Sequence, residues 1–417
     1  MQSVPRPAGR RRVYLRRRIA AGLGVLLVVG AGVYLPTALL APVPAAAAAE
    51  IAPGPVAVQE PAIAWPAVGA GAIGAVGYEG VLDSAGGDEP MPIASITKVI
   101  TVLAALEARP LRPGEPGPTI TFDADDAALY ARYLAVQGTV AAMPAGLSLS
   151  QLDTMKVVLV VSANNYADAF AEWAFGSREA YLAGVDGWLA EHGLARTTVV
   201  EPTGIDPANT STAADLIELG KLAVADPVVS SIVSLPSVSL PRVGTYASTN
   251  RLLGIDGVDG VKTGTLEQAG ACLLFTADVP VGDSTVTVIG VVLGSPDHDT
   301  LFPAARAMLE SAEAGFREVR LAGAGQAFAE YSTPWGDRAM AVAAEDVSAV
   351  LWASAPVAST LRTGSLRVAE KGDEAGSVVF TAGGQRITVP LVLDGALDGP
   401  GPWWRLGHPF EALGVAG

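Results

Sequence analysis

Cysteine is all but missing from the chain: Cys272 stands alone in 417 residues, so no internal disulfide can form. It sits in the apolar run Ala271–Phe275, where a thiol is expected as a buried strand side chain. Histidine is nearly as scarce. His192, His298 and His408 are scattered, none with a partner at ligand spacing, so no metal site and no cofactor are expected. No Gly-x-Ser-x-Gly turn occurs, which argues against a Ser-His-Asp triad. Positive charge is short as well, with 27 Lys and Arg against 42 Asp and Glu and a net charge of −15. Seven of the arginines (Arg6, Arg10, Arg11, Arg12, Arg16, Arg17, Arg18) fall in the first 18 residues, which hold no acid. The remainder is therefore strongly acidic, which argues against nucleic acid or an anionic lipid surface as its main partner.

From Ile19 to Pro42 charge disappears altogether. An apolar run of this length behind an arginine cluster predicts a membrane span over 19–42, with residues 1–18 cytoplasmic and the rest of the chain outside. Its length favours an uncleaved signal-anchor; cleavage within Ala45–Ala49 would instead give a secreted protein. Residues 43–61, rich in Ala and Pro, read as a linker.

The stretch Pro92-Ile-Ala-Ser95-Ile-Thr-Lys98, continuing to Leu106, predicts a helix apolar on nearly every side, hence central to its domain. Ser95 and Lys98 are spaced i, i+3, which puts hydroxyl and amine on one helical face. A lysine in such a helix is costly unless it is used, and a neutral lysine can deprotonate a serine nucleophile. Around this helix, two short strands are expected over 62–87 and an amphipathic helix over Asp123–Val136. A helix capped by Ser148-Leu-Ser-Gln151 should run to Val161, followed by helices over Tyr166–Phe175, Ser177–His192 and about 212–225. After Pro227 the pattern turns to strands (Val238–Leu240, Gly257–Thr265, Gly270–Ala277, Thr285–Leu293), then a helix over Asp299–Ala314. Strands, helices, strands and a helix make an α+β domain over 62–315, its antiparallel sheet drawn from both ends and interrupted by a helical insertion. Residues 316–417 alternate in short segments and read as a small all-β module, with no apolar span or basic amphipathic helix near Gly417.

Ser162-Ala-Asn164 at a helix-to-helix corner and Lys262-Thr263-Gly264 in a strand complete, with Ser95 and Lys98, the three-motif set of active-site serine penicillin-interacting enzymes. Together with Thr203-Gly-Ile-Asp-Pro-Ala-Asn-Thr-Ser-Thr-Ala213, Asp215, and Gly257–Gly264 followed by Ala269-Gly270, these motifs resemble the D-alanyl-D-alanine carboxypeptidases, the low-molecular-mass penicillin-binding proteins. The likeness covers about 62–315. Residues 367–408, with Gly401-Pro-Trp-Trp-Arg405, resemble less specifically the β-rich tail of actinobacterial members. The resemblance implies the penicillin-binding/β-lactamase (transpeptidase-like) fold. It implies as substrates peptidoglycan stem peptides ending in D-Ala-D-Ala, and β-lactam antibiotics as covalent inhibitors. Ser95 would be the acylated nucleophile, Lys98 its base, Ser162 a proton relay and Asn164 a ligand of the substrate amide. Lys262, Thr263 and Thr265 would hold the terminal carboxylate, Gly264 would lie in the substrate-binding strand, and the Ser95 and Thr265 N–H groups would form the oxyanion hole. Two positions depart from the pattern: Thr249-Asn250-Arg251 displaces an arginine, and Thr265 stands where some relatives have histidine.

Three other functions use related features. A β-lactamase of the class A type needs a Glu-x-x-Leu-Asn loop, and the corresponding Glu201 is followed by Pro202-Thr-Gly-Ile instead. A D,D-endopeptidase acting on cross-links shares every motif. A silent wall-binding protein is disfavoured because all five reactive side chains are present.

Overall fold

The computed structural model describes residues 9–54, 61–352 and 356–412. Residues 1–8 of the Arg-rich segment, with Arg6, and 55–60 of the expected linker lie outside them. A helix, α1 (Gly9–Leu40), opens the chain. Within it Val13–Leu40 has mean hydropathy 2.1 over its best window, and it is the one helix among the described residues long and apolar enough to cross a membrane.

Five antiparallel strands form the central sheet: β1 (Ala70–Ala75), β2 (Asp83–Ala85), β3 (Val258–Leu266), β4 (Gly270–Val281) and β5 (Ser284–Ser295). Their order is β3-β4-β5-β1-β2, so early and late segments share one sheet and β3 is an edge. The α+β architecture expected from the pattern is the one observed.

Between β2 and β3 lies the helical layer. At its centre is α2 (Thr97–Ala108), with every residue from Thr97 to Leu106 buried. It packs with α3 (Asn164–Phe175) and the helix Arg178–Glu191 into one apolar cluster against the sheet. The sheet's other face is covered by α4 (His298–Glu313), which buries Leu301, Phe302, Ala305, Met308 and Leu309. Strand alternation then sorts β3: Lys262 and Gly264 stand opposite Leu274 and Cys272, on the side of the helical layer, whereas Thr263 and Thr265 stand opposite Leu273 and Ala271, on the side of α4.

Several boundaries differ from expectation. α2 starts at Thr97, preceded by a 3-10 turn, Ala94–Ile96, that carries Ser95. Ser148–Ser150 is a short strand and Ser150 caps the following helix, Gln151–Lys156, by accepting from the Asp153 N–H. Pro227–Val233 is helical: the Asp226 carboxylate caps it by accepting from the Val228 and Val229 N–H groups, which outweighs its β-branched composition.

The C-terminal strands form a six-stranded sheet over their own core, including Phe328, Tyr331, Phe380 and Leu391. Its edge strand is Ala47–Glu50, within the segment read as a linker. All four of those side chains are exposed, so the pairing is made by backbone alone and leaves no side-chain pattern to read. Ala327–Ser332 and Val357–Thr363 belong to this sheet, and Phe316–Ala322 pairs with Val347–Trp352 beside it.

Candidate active site

Ser95 comes from a 3-10 turn, Lys98 from α2, Ser162 and Asn164 from the corner that opens α3, and Lys262 from β3; Lys98 bonds both Ser95 and Asn164, and its pKa feels Lys262. Ser95 sits on the 3-10 turn, where Ala94 is held at φ 44°. Ser162 is the second non-glycine residue there in the left-handed region, at φ 65°. It ends a π-helical turn, Val157–Val161, by donating its N–H to the Val157 carbonyl. Strained conformations of this kind persist only where surrounding packing enforces them, and both here flank reactive side chains.

Two glycines let backbone press against the nucleophile turn. A Cβ on Gly264 would lie 2.8 Å from the Ile93 carbonyl oxygen and 3.1 Å from the Ser95 nitrogen. One on Gly204 would lie 1.9 Å from the Ala94 carbonyl oxygen. β3 therefore passes within van der Waals range of the turn, with its free edge beside Ser95.

Lys98 is fully buried and its Nζ has three oxygen neighbours: Ser95 Oγ at 2.8 Å, Asn164 Oδ1 at 2.6 Å and the Thr203 carbonyl at 2.6 Å. Two of these oxygens can only accept. A neutral amine has two N–H bonds and one lone pair, so donating to Asn164 and Thr203 turns its lone pair to the Ser95 hydroxyl. Burial drives the Lys98 pKa well below the ordinary amine value, the charge of Lys262 pushes the same way, and Glu201 opposes them. Lys262 is brought to about 7 by burial, with its Nζ donating to the Thr263 carbonyl at 3.0 Å.

Glu201 is buried, and its carboxylate accepts from four donors. Oε2 accepts from the Thr203 N–H (2.7 Å), and Oε1 accepts from the Gly204 N–H (2.6 Å), the Asp206 N–H (3.4 Å) and Asn209 Nδ2. It thus fixes the loop that offers Thr203 O to Lys98. Neither Thr203 nor the part played by Glu201 is visible from residue type, since a backbone carbonyl carries no sequence signal.

The far end of β3 holds contacts the sequence did not announce. Thr263 Oγ1 meets Thr249 Oγ1 at 2.5 Å, and Thr265 Oγ1 meets His298 Nε2 at 2.6 Å. Arg251 is engaged on the rim, paired with Asp299 at 2.8 Å and lying over the Phe302 ring. Asn250 Nδ2 donates to the Gly260 carbonyl at 3.0 Å. Cys272 is buried and apart from this chemistry, its thiol pushed up to about 11 by burial.

The sequence profile described as D-alanyl-D-alanine carboxypeptidase matches residues 67–297. Among curated proteins, the chain is 31% identical over 220 residues to the D-alanyl-D-alanine carboxypeptidase DacC of Escherichia coli, covering 52% of this chain and 53% of that protein. It is 27% identical over 206 residues to a D-alanyl-D-alanine endopeptidase of Pseudomonas aeruginosa, covering 48% and 63%. The chain thus spans about half to two-thirds of the length of these curated relatives. Among solved structures, penicillin binding protein 5 of Haemophilus influenzae superposes with a TM-score of 0.58 at 22% identity, over 82% of this chain and 99% of that one, which establishes a shared fold.

Proposed function

Because the chain belongs to the D-alanyl-D-alanine carboxypeptidase family, we propose that it removes the terminal D-alanine from peptidoglycan stem peptides through an acyl-enzyme on Ser95. The observation that carries this reading is the placement of buried Lys98 Nζ 2.8 Å from Ser95 Oγ beside two oxygens that can only accept, so that the neutral amine, donating to those two, turns its lone pair to the Ser95 hydroxyl.

The chemistry follows atom by atom. Ser95 Oγ attacks the carbonyl carbon of the D-Ala-D-Ala bond as its proton passes to Lys98 Nζ. Charge growing on the carbonyl oxygen is met by the N–H groups of Ser95 and Thr265. Collapse breaks the C–N bond, and the leaving amine takes a proton relayed through Ser162, freeing D-alanine. Water then attacks the ester and returns Ser95 to its hydroxyl form. Asn164, whose Oδ1 accepts from Lys98, keeps its NH₂ to donate to the substrate amide carbonyl. The peptide lies along the free edge of β3 as an added strand, bringing its terminal carboxylate to Lys262, Thr263 and Thr265 beside Gly264. β-Lactams would acylate Ser95 by the same route.

In this reading residues 62–315 are the peptidase domain, 316–417 an accessory β module, and α1 a single-pass anchor that holds both outside the membrane. The likeness to an endopeptidase supports a second reading, hydrolysis of D-Ala cross-links, because that scissile bond also follows a D-alanyl carbonyl. The test is D-alanine release from diacyl-Lys-D-Ala-D-Ala by the full chain in detergent, with Ser95→Ala alongside. Release by the wild type alone supports the carboxypeptidase; cleavage of cross-linked muropeptides only would replace it by the endopeptidase.

A further inference from the structure

We propose that His298 is a positioning residue for the substrate's terminal carboxylate, acting by setting the direction of the Thr265 hydroxyl. This inference rests on the reading of Thr265 as a carboxylate contact. Thr265 is exposed at the end of the edge strand, and its Oγ1 lies 2.6 Å from His298 Nε2. The imidazole comes from the first residue of α4, on the opposite side of the sheet from Lys98, and is braced edge-on against buried Phe302. Metal spacing cannot account for it, since no group of ligating side chains occurs among the described residues.

The consequence follows from counting protons. A threonine hydroxyl has one hydrogen, which goes either to histidine or to substrate. When His298 is protonated, Nε2–H must donate to Thr265 Oγ1, and the hydroxyl hydrogen is free to donate to a carboxylate. When the imidazole is neutral with its hydrogen on Nδ1, Nε2 takes that hydrogen and Thr265 presents only lone pairs to an anion. Binding of an anionic terminus therefore weakens when His298 loses the proton on Nε2, and is spared where the neutral ring keeps its hydrogen there. Four charged groups act on the ring: Arg251, Lys262, Asp297 and Asp299. Burial of the ring lowers its pKa first, Arg251 and Lys262 act the same way, and Asp299 and Asp297 oppose them. The step therefore lies below the ordinary imidazole value of about 6.5. Lys262, at about 7, contributes a separate step above it. Arg251, paired with Asp299, acts on the switch only through its charge.

The experiment uses the full chain in detergent and diacyl-Lys-D-Ala-D-Ala, with KM and kcat measured from pH 5 to 8. Wild type, His298→Ala, His298→Gln, Thr265→Val and the His298→Ala/Thr265→Val double variant are compared, each labelled in parallel with a fluorescent penicillin. His298→Ala is expected to raise KM about fivefold near pH 5.5, the effect of one ordinary hydrogen bond, with kcat within about twofold. His298→Gln donates at every pH, so its KM should lose the lower step and keep the upper one. In the Thr265→Val background, His298→Ala should have no further effect on KM. Independent, additive effects of the two residues, or a loss confined to kcat, would overturn the inference while leaving the nucleophile intact. Penicillin labelling without D-alanine release would transfer the same comparisons to the second-order acylation constant, since penicillin carries an equivalent carboxylate. A wild type that takes no label would remove the Ser95 reading, and this inference with it.

Discussion

Replacing Glu201 by glutamine separates two roles for the one buried acid near Lys98. As a hydrolytic base it would need an oxygen open to water; instead it is buried, and both oxygens are held by donors of its own loop, Thr203, Gly204, Asp206 and Asn209. Glutamine preserves shape but puts an NH₂ against one of these donors, losing a charge-assisted bond and leaving an N–H unpaired. Such a change in a buried site costs about 3 kcal/mol, or roughly 6–12 °C in Tm for a domain of this size. The electrostatic consequence has a definite sign. Glu201 favours the protonated form of Lys98, so neutralising it lowers the Lys98 pKa further, and the base persists to lower pH. The acidic limb of Ser95 acylation should therefore move to lower pH in Glu201→Gln, while hydrolysis of the acyl-enzyme keeps its wild-type rate. Stopped-flow acylation by a fluorescent penicillin across pH 4–9 measures the first, and decay of the bound label the second. An unmoved acidic limb with normal acylation and a long-lived acyl-enzyme would refute the reasoning and make Glu201 a deacylating base.

Two further outcomes follow from β3. Gly264→Ala places a methyl 2.8 Å from the Ile93 carbonyl oxygen, so the strand must back away from Ser95. Acylation should fall by roughly 100-fold, as for loss of an oxyanion donor, with Tm lowered by only a few degrees; labelling at the wild-type rate would show that the strand need not approach so closely. Lys262 loses its proton near pH 7, so KM for an anionic peptide should rise above that pH, and Lys262→Arg should extend low KM toward pH 9 at some loss in kcat. A flat KM from pH 6 to 9 in the wild type would exclude Lys262 as the carboxylate's cation.

Side-chain pattern made much of the fold legible. The stretch behind Ser95, apolar on nearly every side, had to be central, and Thr97–Leu106 is buried throughout. The alternating late segments had to pair: three of them lie with β1 in one antiparallel sheet, and the first, Val238–Leu240, pairs instead with Gly244–Ala247 in a separate hairpin. Elements failed to show where backbone outweighed side chains. Ala47–Glu50 pairs into a sheet with every side chain exposed, and Pro227–Val233 is helical because Asp226 caps it. The site divides in the same way. Ser95, Lys98, Ser162, Asn164 and Lys262 were readable as residue types at telling positions, whereas Thr203 O, the donors to Glu201 and the pairing of His298 with Thr265 were not.

Sequence by itself determined the family, the candidate nucleophile and its base, because these depend on chemical groups at short, fixed spacing along one turn of helix. Only the tertiary structure decided the state of that base. Whether Lys98 is an amine or an ammonium depends on its burial and on Lys262, Asn164, Thr203 and Glu201, which reach it from distant parts of the chain. A pKa is set by the solvent and charges around a group, and those are fixed by folding.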